Sequence, residues 1–294
     1  MTHISIPKTY KLYIGGAFPR SESGRTYEVV TKSGAFVANA AKASRKDARD
    51  AVVAARAAQP GWAGATGYNR GQVLYRIAEL LEGRRAQFVD EITATEGGSA
   101  ASAGRQVDAA IDTWVWYAGW ADKYVQVAGN ANAVSGPYFN ISVPEPTGVV
   151  AIVAPSGPGT GTGTGTGAGK SLLGLVSVIA PAIVSGNTVV VIASESAPLT
   201  AISLAEVLAT SDVPGGVVNI LTGSAAEIAP WLASHADVNA LDLTGADGLD
   251  WVDLQVSAAD TLKRVRTPGD FGASLDRIVA FTETKTVWHT KSLI

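Results

Sequence analysis

The sequence predicts a parallel α/β sheet with helices on both faces, and three observations lead to it. From residue 149 onward, short β-branched runs ("VVAIVA", "NTVVVIAS", "GVVNIL", "VNALDL") alternate with apolar segments of helical period. Such alternation means strands joined by crossover helices, each strand buried on both sides. The first run leads into "GPGTGTGTGTGAGKS", Gly157 to Ser171, which opens a helix. The residues before about 136 read instead as a hairpin followed by amphipathic helices.

Residues 10–30 are expected to form a hairpin, with "KLYIGGAF" turning at Gly15-Gly16, because paired glycines accept the positive φ of a tight turn. Ser44 then caps a helix, "SRKDARDAVVAARAAQ", with Asp47 as its acidic partner three residues on. Its apolar positions Ala48, Ala51, Val52, Ala55 and Ala58 lie on one face. A second helix covers about Asn69–Glu82, a third about Arg85–Thr95, and a fourth about Ala101–Tyr124. The fourth carries Trp114, Trp116, Tyr117 and Trp120, which read as packing between helices rather than a binding surface.

Near Pro137 the texture changes. "YFNISVPEPTGVVAIVAP" predicts a hairpin over 137–148 that leads into a buried strand, Val149–Ala154. An apolar helix follows over Ser171–Val184, with later helices at about Leu199–Thr210 and Ala225–His235 between the remaining strands. Sheets of this Rossmann-like type bind ligands at the carboxyl ends of their strands, and the Gly-Thr segment sits at such an end.

Composition narrows the function classes. Of 294 residues, 47% are hydrophobic, enough for a sizeable core, and the formal net charge is -3. That charge gives no electrostatic case for nucleic acid or an anionic membrane. The longest apolar run, Leu172–Val184, is too short to span a bilayer and contains Pro181. The opening residues lack the layout of a signal peptide, so a soluble cytoplasmic protein is expected. Cysteine is absent, which excludes disulfides, thiolate metal sites and a cysteine nucleophile. His3, His235 and His289 are far apart and read as surface or satisfied histidines, not metal ligands.

The Gly-Thr segment imitates a phosphate-binding loop without matching one. The pattern G-x-x-x-x-G-K-[ST] ends correctly at Gly169-Lys170-Ser171, but its first glycine falls on Thr164. Every glycine from Gly157 to Gly169 has an odd number, so neither the spacing of five nor the spacing of three in G-x-G-x-x-G can be met. Three readings stay open: a flexible insertion spanning roughly 20 Å as random coil, an anion or nucleotide cradle using Lys170 and the helix start, and a contact with a partner subunit. Under the nucleotide reading, Asp242 serves as a magnesium-binding aspartate.

Several ordered segments together resemble the NAD(P)-dependent aldehyde dehydrogenase family. They are "NRGQVLYRIAELLEGRR", "YAGWADK", "PEPTGVVAIVAP", "APAIVSGNTVVV", "SESAPLTAISLAEVL", "PGGVVNILTG", "HADVNALDLTG" and the late "AFTETKTVWH". The resemblance covers nearly all of residues 10–265 and a short C-terminal stretch. It implies a cofactor-binding α/β domain, a catalytic domain bearing a cysteine nucleophile, and an oligomerisation sheet. Here the similarity runs to "TLKRVR", Thr261–Arg266, meets "TPGDFGAS", and resumes at the C-terminal strand. The implied organisation is a helical part over 1–136, a Rossmann-like part over 137–266, a join over 267–277 in place of the catalytic domain, and an oligomerisation strand over 278–294.

The departures are chemical too. No cysteine can form a thiohemiacetal; the family's glutamate base falls where Thr267 and Pro268 stand; its oxyanion asparagine falls where Pro155 is followed by Ser156 and Gly157. No catalytic residue is therefore assigned. The lysine that contacts the adenosine ribose corresponds to Ile192, and the serine at the pyrophosphate to Ala246. Glu195, Gly223 and Gly245 are the residual cofactor-binding positions. Each lost bond to a charged group costs roughly 1.5–3 kcal/mol, so NAD or NADP binding is expected to be weak or absent. The function implied first is a catalytically deficient subunit in a hetero-oligomer with a full-length aldehyde dehydrogenase, or with itself. The alternatives are a stand-alone oxidoreductase and a nucleotide-binding module using 157–171.

Overall fold

The computed structural model describes residues 6, 8–155 and 171–291. His3 and the expectations for Gly157–Lys170 lie outside the described residues.

Strands β1 (Thr9–Tyr10), β2 (Thr26–Val30) and β3 (Phe36–Ala41) form a small sheet in the order β1-β3-β2. The Gly15-Gly16 turn is present: Ile14 and Ala17 exchange both backbone hydrogen bonds at 3.0 Å, and the glycines have φ of 62° and 83°. It does not extend into a hairpin over 10–30. Tyr13 exchanges its backbone bonds with Ile220, while Tyr10 pairs with Ala40 and residues 26–30 pair with β3. Better partners further along the chain take the strands away from the turn.

Helix α1 (Arg45–Gly64) starts in a full capping box. Ser44 accepts from the amides of Lys46 and Asp47, and Asp47 accepts from the Ser44 amide at 2.7 Å. The helix passes through Pro60, beyond its expected end, because Trp62 is buried and donates its indole N–H to the Ile183 carbonyl at 2.8 Å. Helices α2 (Gly67–Gly83), α3 (Arg85–Glu96), α4 (Ala100–Trp120) and α5 (Tyr124–Ala128) follow. Trp114 and Tyr117 are fully buried, with Trp116 and Trp120 packed against the same core. The aromatic cluster is interior packing, as expected.

The remaining elements are β4 (Tyr138–Pro146), β5 (Val149–Val153), α6 (Ser171–Val184), β6 (Thr188–Ile192), α7 (Leu199–Leu208), β7 (Val218–Leu221), α8 (Ala225–Ser234), β8 (Ala240–Asp242), α9 (Trp251–Ala259), β9 (Arg264–Arg266), α10 (Leu275–Val279) and β10 (Thr282–Thr290). Five strands form the predicted parallel sheet in the order β7-β6-β5-β8-β9. Successive residues of β5 face opposite cores. Val150 and Ile152 pack with α4, α6 and α7, whereas Val149, Ala151 and Val153 pack with α1, α8 and α9. Burial on both faces is why these strands read as unbroken apolar runs. No described helix is long and apolar enough to cross a membrane.

The hairpin expected over 137–148 is a single strand. β4 pairs antiparallel with β10 in nine rungs, from Thr282 opposite Pro146 to Thr290 opposite Tyr138. Despite Asn140, Pro144 and Pro146, no turn interrupts "YFNISVPEP"; the turn comes afterwards, at Gly148, which has φ of 130°. At this same end of the ribbon, α10 carries helix across the boundary expected at 277/278.

The segment after β9 is tied down by a buried ion pair. Arg277 of α10 donates to the Asp242 carboxylate at 2.9 Å, with both side chains at most 1% exposed. Asp242 also accepts from the amide and hydroxyl of Thr244, and Arg277 donates to the Asp270 carbonyl at 3.1 Å. Removing one partner of a buried pair strands the other charge, at a cost of about 3–5 kcal/mol. Asp242→Asn is expected to lose stability on that scale in urea unfolding, and Asp242→Asn with Arg277→Met to regain most of it. Equal losses in the single and double variants would disprove the pairing energy.

A second buried group gives a pH signature. Glu91 of α3 accepts from Tyr10 (3.2 Å), Gln87 (3.1 Å) and Ser203 (2.6 Å), all on one oxygen, while its buried second oxygen has no partner. Burial pushes its carboxyl above the usual range. The folded chain thus holds this proton more tightly than the unfolded one. The resulting stability is full below the ordinary carboxyl value and is lost as pH rises through the folded value. Glu91→Gln keeps the accepting oxygen and removes the ionisation, so its melting temperature relative to the parent should rise between acid and neutral pH. A relative melting temperature that does not change with pH would refute this.

Candidate functional site

The order β7-β6-β5-β8-β9 reverses direction between β5 and β8, and a cleft opens at the carboxyl ends of the strands there, where such sheets take ligands. It measures about 480 Å³. The ends of β5 and β6 contribute Val153, Ala154, Ile192 and Ala193, followed by Glu195 and Ser196. Ser224, Ala225 and Ala226 at the start of α8 form one wall, and Gly245, Gly248 and Leu249 after β8 form the opposite one.

The expected cofactor positions fall here, two of them in the lining. Glu195 and Gly245 line the cleft, while Gly223 sits at its edge, next to Ser224. Both glycines have backbone reasons to be glycine. A Cβ on Gly245 would lie 2.3 Å from the Ala154 carbonyl, where the loop after β8 crosses β5. Gly223 has φ of 121°, in a region side chains rarely adopt. Glu195 is exposed. Ile192 contributes apolar wall, and Ala246 is buried outside the lining.

Glu195 is the one charged residue in the lining among the described residues. Its field reaches Tyr27, whose buried hydroxyl lacks a hydrogen-bond partner: burial, and then the Glu195 charge, push the phenol well above its ordinary value. The neighbouring helix starts carry acids as well. Glu227 stands in the first turn of α8, paired with Lys42 at 2.7 Å. Asp250 caps α9, with Asp253 in its first turn.

The start of α6 is filled by the protein itself. The Glu96 carboxylate accepts from the Ser171 amide at 3.0 Å and from the Ser171 hydroxyl. Gln106 accepts from the Leu172 amide at 3.1 Å and donates to the second oxygen of Glu96 at 3.2 Å. The amides of Ser171 and Leu172 are thus occupied by a carboxylate and an amide oxygen, while the cradle reading, which uses Lys170, lies outside the described residues. No local sequence signal marked Glu96 for this role. No described cation lines the cleft, and the α8 start that does line it, Ser224–Ala226, has no side-chain cap.

Asp242 is not available as a magnesium ligand: both its oxygens are occupied, by Arg277 and Thr244, in the buried clasp. His235 packs edge-on against Trp231 with ring centroids 4.6 Å apart, and burial lowers its pKa; His289 is exposed on β10. Among the described residues no His, Asp and Glu side chains cluster as a metal site.

Comparison with known proteins agrees with this architecture. The family model described as the aldehyde dehydrogenase family matches residues 18–159 and 169–266, so most of the Gly-Thr repeat falls between the two matched segments. Cytosolic aldehyde dehydrogenase 1 of Elephantulus edwardii is 32% identical over 270 residues, covering 90% of this chain and 51% of that protein. HpcC from Thermus thermophilus superposes with a TM-score of 0.78 at 28% identity, covering 88% of this chain and 48% of that one. An aldehyde dehydrogenase from Bacillus cereus, solved with NAD+, gives a TM-score of 0.77 at 25% identity over 88% and 50% of the two chains. The chain spans about half the length of the curated relative it matches. A family-model match on both sides of the repeat, over most of the chain, together with a superposition on the same fold, means that this chain belongs to the aldehyde dehydrogenase family.

Proposed function

We propose that this chain is a catalytically deficient, cytoplasmic subunit that assembles with a full-length NAD(P)-dependent aldehyde dehydrogenase and stabilises or regulates it. One observation carries the reading: a chain without cysteine keeps a nine-rung ribbon, β4–β10, whose β10 is exposed at every position but Thr282. Tyr138, Phe139, Ile141, Val287 and Trp288 are large apolar residues left in solvent on it. A two-stranded ribbon is marginal on its own, and an open apolar edge is suited to adding a strand from a neighbour. The chemistry points the same way. Without a thiolate no thiohemiacetal forms, and beside Glu195 the described lining of the cleft offers serine hydroxyls but no histidine or lysine to activate them.

Native mass spectrometry of the tagged chain from its own host tests this. Recovery with a cysteine-containing aldehyde dehydrogenase at fixed stoichiometry is expected; recovery alone or only as a homo-oligomer overturns it. The isolated chain should show no aldehyde-dependent NAD reduction. Truncation tests the ribbon, and the position of the cut matters. Deletion from Phe281, as the sequence suggests, would remove a core residue whose carbonyl accepts from Thr147 and Asn187. Removing only 283–294 should abolish assembly and leave the circular dichroism of the α/β part unchanged. Assembly that survives this cut refutes the role given to β10.

A further inference from the structure

We propose that Asp247, followed by Gly248 in the loop from β8 to α9, is a site of spontaneous aspartate isomerisation, and that the isoaspartate formed there is a substrate for a carboxyl methyltransferase. The inference stands on this loop alone and does not depend on the assembly proposed above.

The reaction needs an aspartyl side chain, a following amide free to attack it, no bulk beside that amide, and access to water. Asp247 and Gly248 form the one Asp-Gly pair in the sequence, and Asn-Gly does not occur. They are the central residues of a turn closed by the Leu249 amide on the Ala246 carbonyl at 2.9 Å. Both are exposed. The acids before and after them are engaged: Asp242 holds Arg277, and Asp250 accepts from the Asp253 amide at 3.1 Å. Among the described residues no such bond ties the Asp247 carboxylate or the Gly248 amide. Nor does the backbone demand glycine at 248. A Cβ there would meet nothing within 4 Å, and its φ is not left-handed, whereas a Cβ on Gly245 would strike the Ala154 carbonyl. What glycine supplies at 248 is an attacking nitrogen with no side chain beside it.

The steps balance without an oxidant or a co-reactant other than water. The Gly248 nitrogen bonds to Asp247 Cγ and gives up its proton, and one carboxyl oxygen leaves as water. A five-membered succinimide results. Water then breaks one of its two C–N bonds. Cleavage at Cγ restores aspartate. Cleavage at the main-chain carbonyl carbon of Asp247 routes the chain through Cβ and Cγ and frees the former main-chain carboxyl group. The chain is then one carbon longer between Gly245, packed on β5, and Asp250, which caps α9. Gly248 and Leu249 line the cleft, so its wall is remodelled as well. The freed carboxylate stands in solvent, where its oxygen can take a methyl group from the sulfonium of S-adenosylmethionine, leaving a thioether.

Ageing the purified full chain at neutral pH and physiological temperature tests this, with isoaspartyl methyltransferase and labelled S-adenosylmethionine as the probe. Methyl uptake should rise with time and map to Asp247 by electron-transfer fragmentation. Gly248→Ala, which the open space at 248 admits, should slow the rise several-fold. Asp247→Asn should speed it, because a neutral amide loses ammonia more readily than a carboxylate loses water. Circular dichroism of both variants separates these effects from unfolding. Amide exchange in the first turn of α9 should quicken in the aged parent and not in aged Gly248→Ala. No uptake after ageing, uptake at another aspartate, or uptake only in chains aged in urea overturns the proposal. Loss of assembly with uptake intact would fell only the subunit reading.

Discussion

The C-terminal part of the molecule depends on one buried ion pair. Asp242 ends β8, beside the central strand β5, at the sheet's carboxyl edge, and Arg277 reaches it from α10 across the residues that follow β9. A pair this deep contributes little net stability compared with an apolar contact, because both charges lose their water. What it does supply is position, since only one placement of α10 satisfies both groups. With α10 fixed, Phe281 enters the core, its carbonyl takes the Thr147 amide and the Asn187 side chain, and β10 starts in register with β4. A short connection can therefore follow β9 without leaving the next strand adrift.

The same economy governs the ligand face. In a parallel sheet the following helices point their starts, and their partial positive charge, toward the carboxyl ends of the strands. Here side chains of the protein hold the first described amides of α6 and the start of α9, whereas the start of α8 has no side-chain cap. The α6 cap is the most complete, because Glu96 is itself held by Gln106, and Ser171 by Thr200. Such a network satisfies the α6 start without any ligand.

Legibility in the sequence followed the range of the interaction. The Ser44–Asp47 box, the Gly15-Gly16 turn and the buried strands of the large sheet were readable because each is set by residues within a few positions. The ligand face was readable because parallel sheets take ligands at the carboxyl ends of their strands, and Glu195 and Gly245, implied by the family resemblance, lie in the cleft there. Glu96 was not, because its partner Ser171 is 75 residues away and nothing local distinguishes it from a surface acid. The 137–148 segment was misread for the same reason: with its partner 144 residues distant at Ser142–Thr286, a hairpin was the nearest way to pair it. Helix α9 went unseen because it buries only Leu254 and Ala258 and so shows little period.

The β4–β10 ribbon then poses a physical question of its own. Its inner end is fixed through Thr147, Asn187 and Phe281, and Asn130 exchanges backbone bonds with Ser142 on the outer side of β4. The opposite edge, along β10, has no strand beside it in the described chain. Its ion pairs, Lys285 with Glu145 and Arg264 with Glu283, are exposed, where such pairs contribute little. Charges on an edge deter indiscriminate pairing, while the apolar residues near the far end, Phe139, Ile141, Val287 and Trp288, favour cover. Protected near its root and adhesive toward its tip, the ribbon is built to meet one complementary surface, which is why its fate in a native complex discriminates so well between a subunit and a solitary domain.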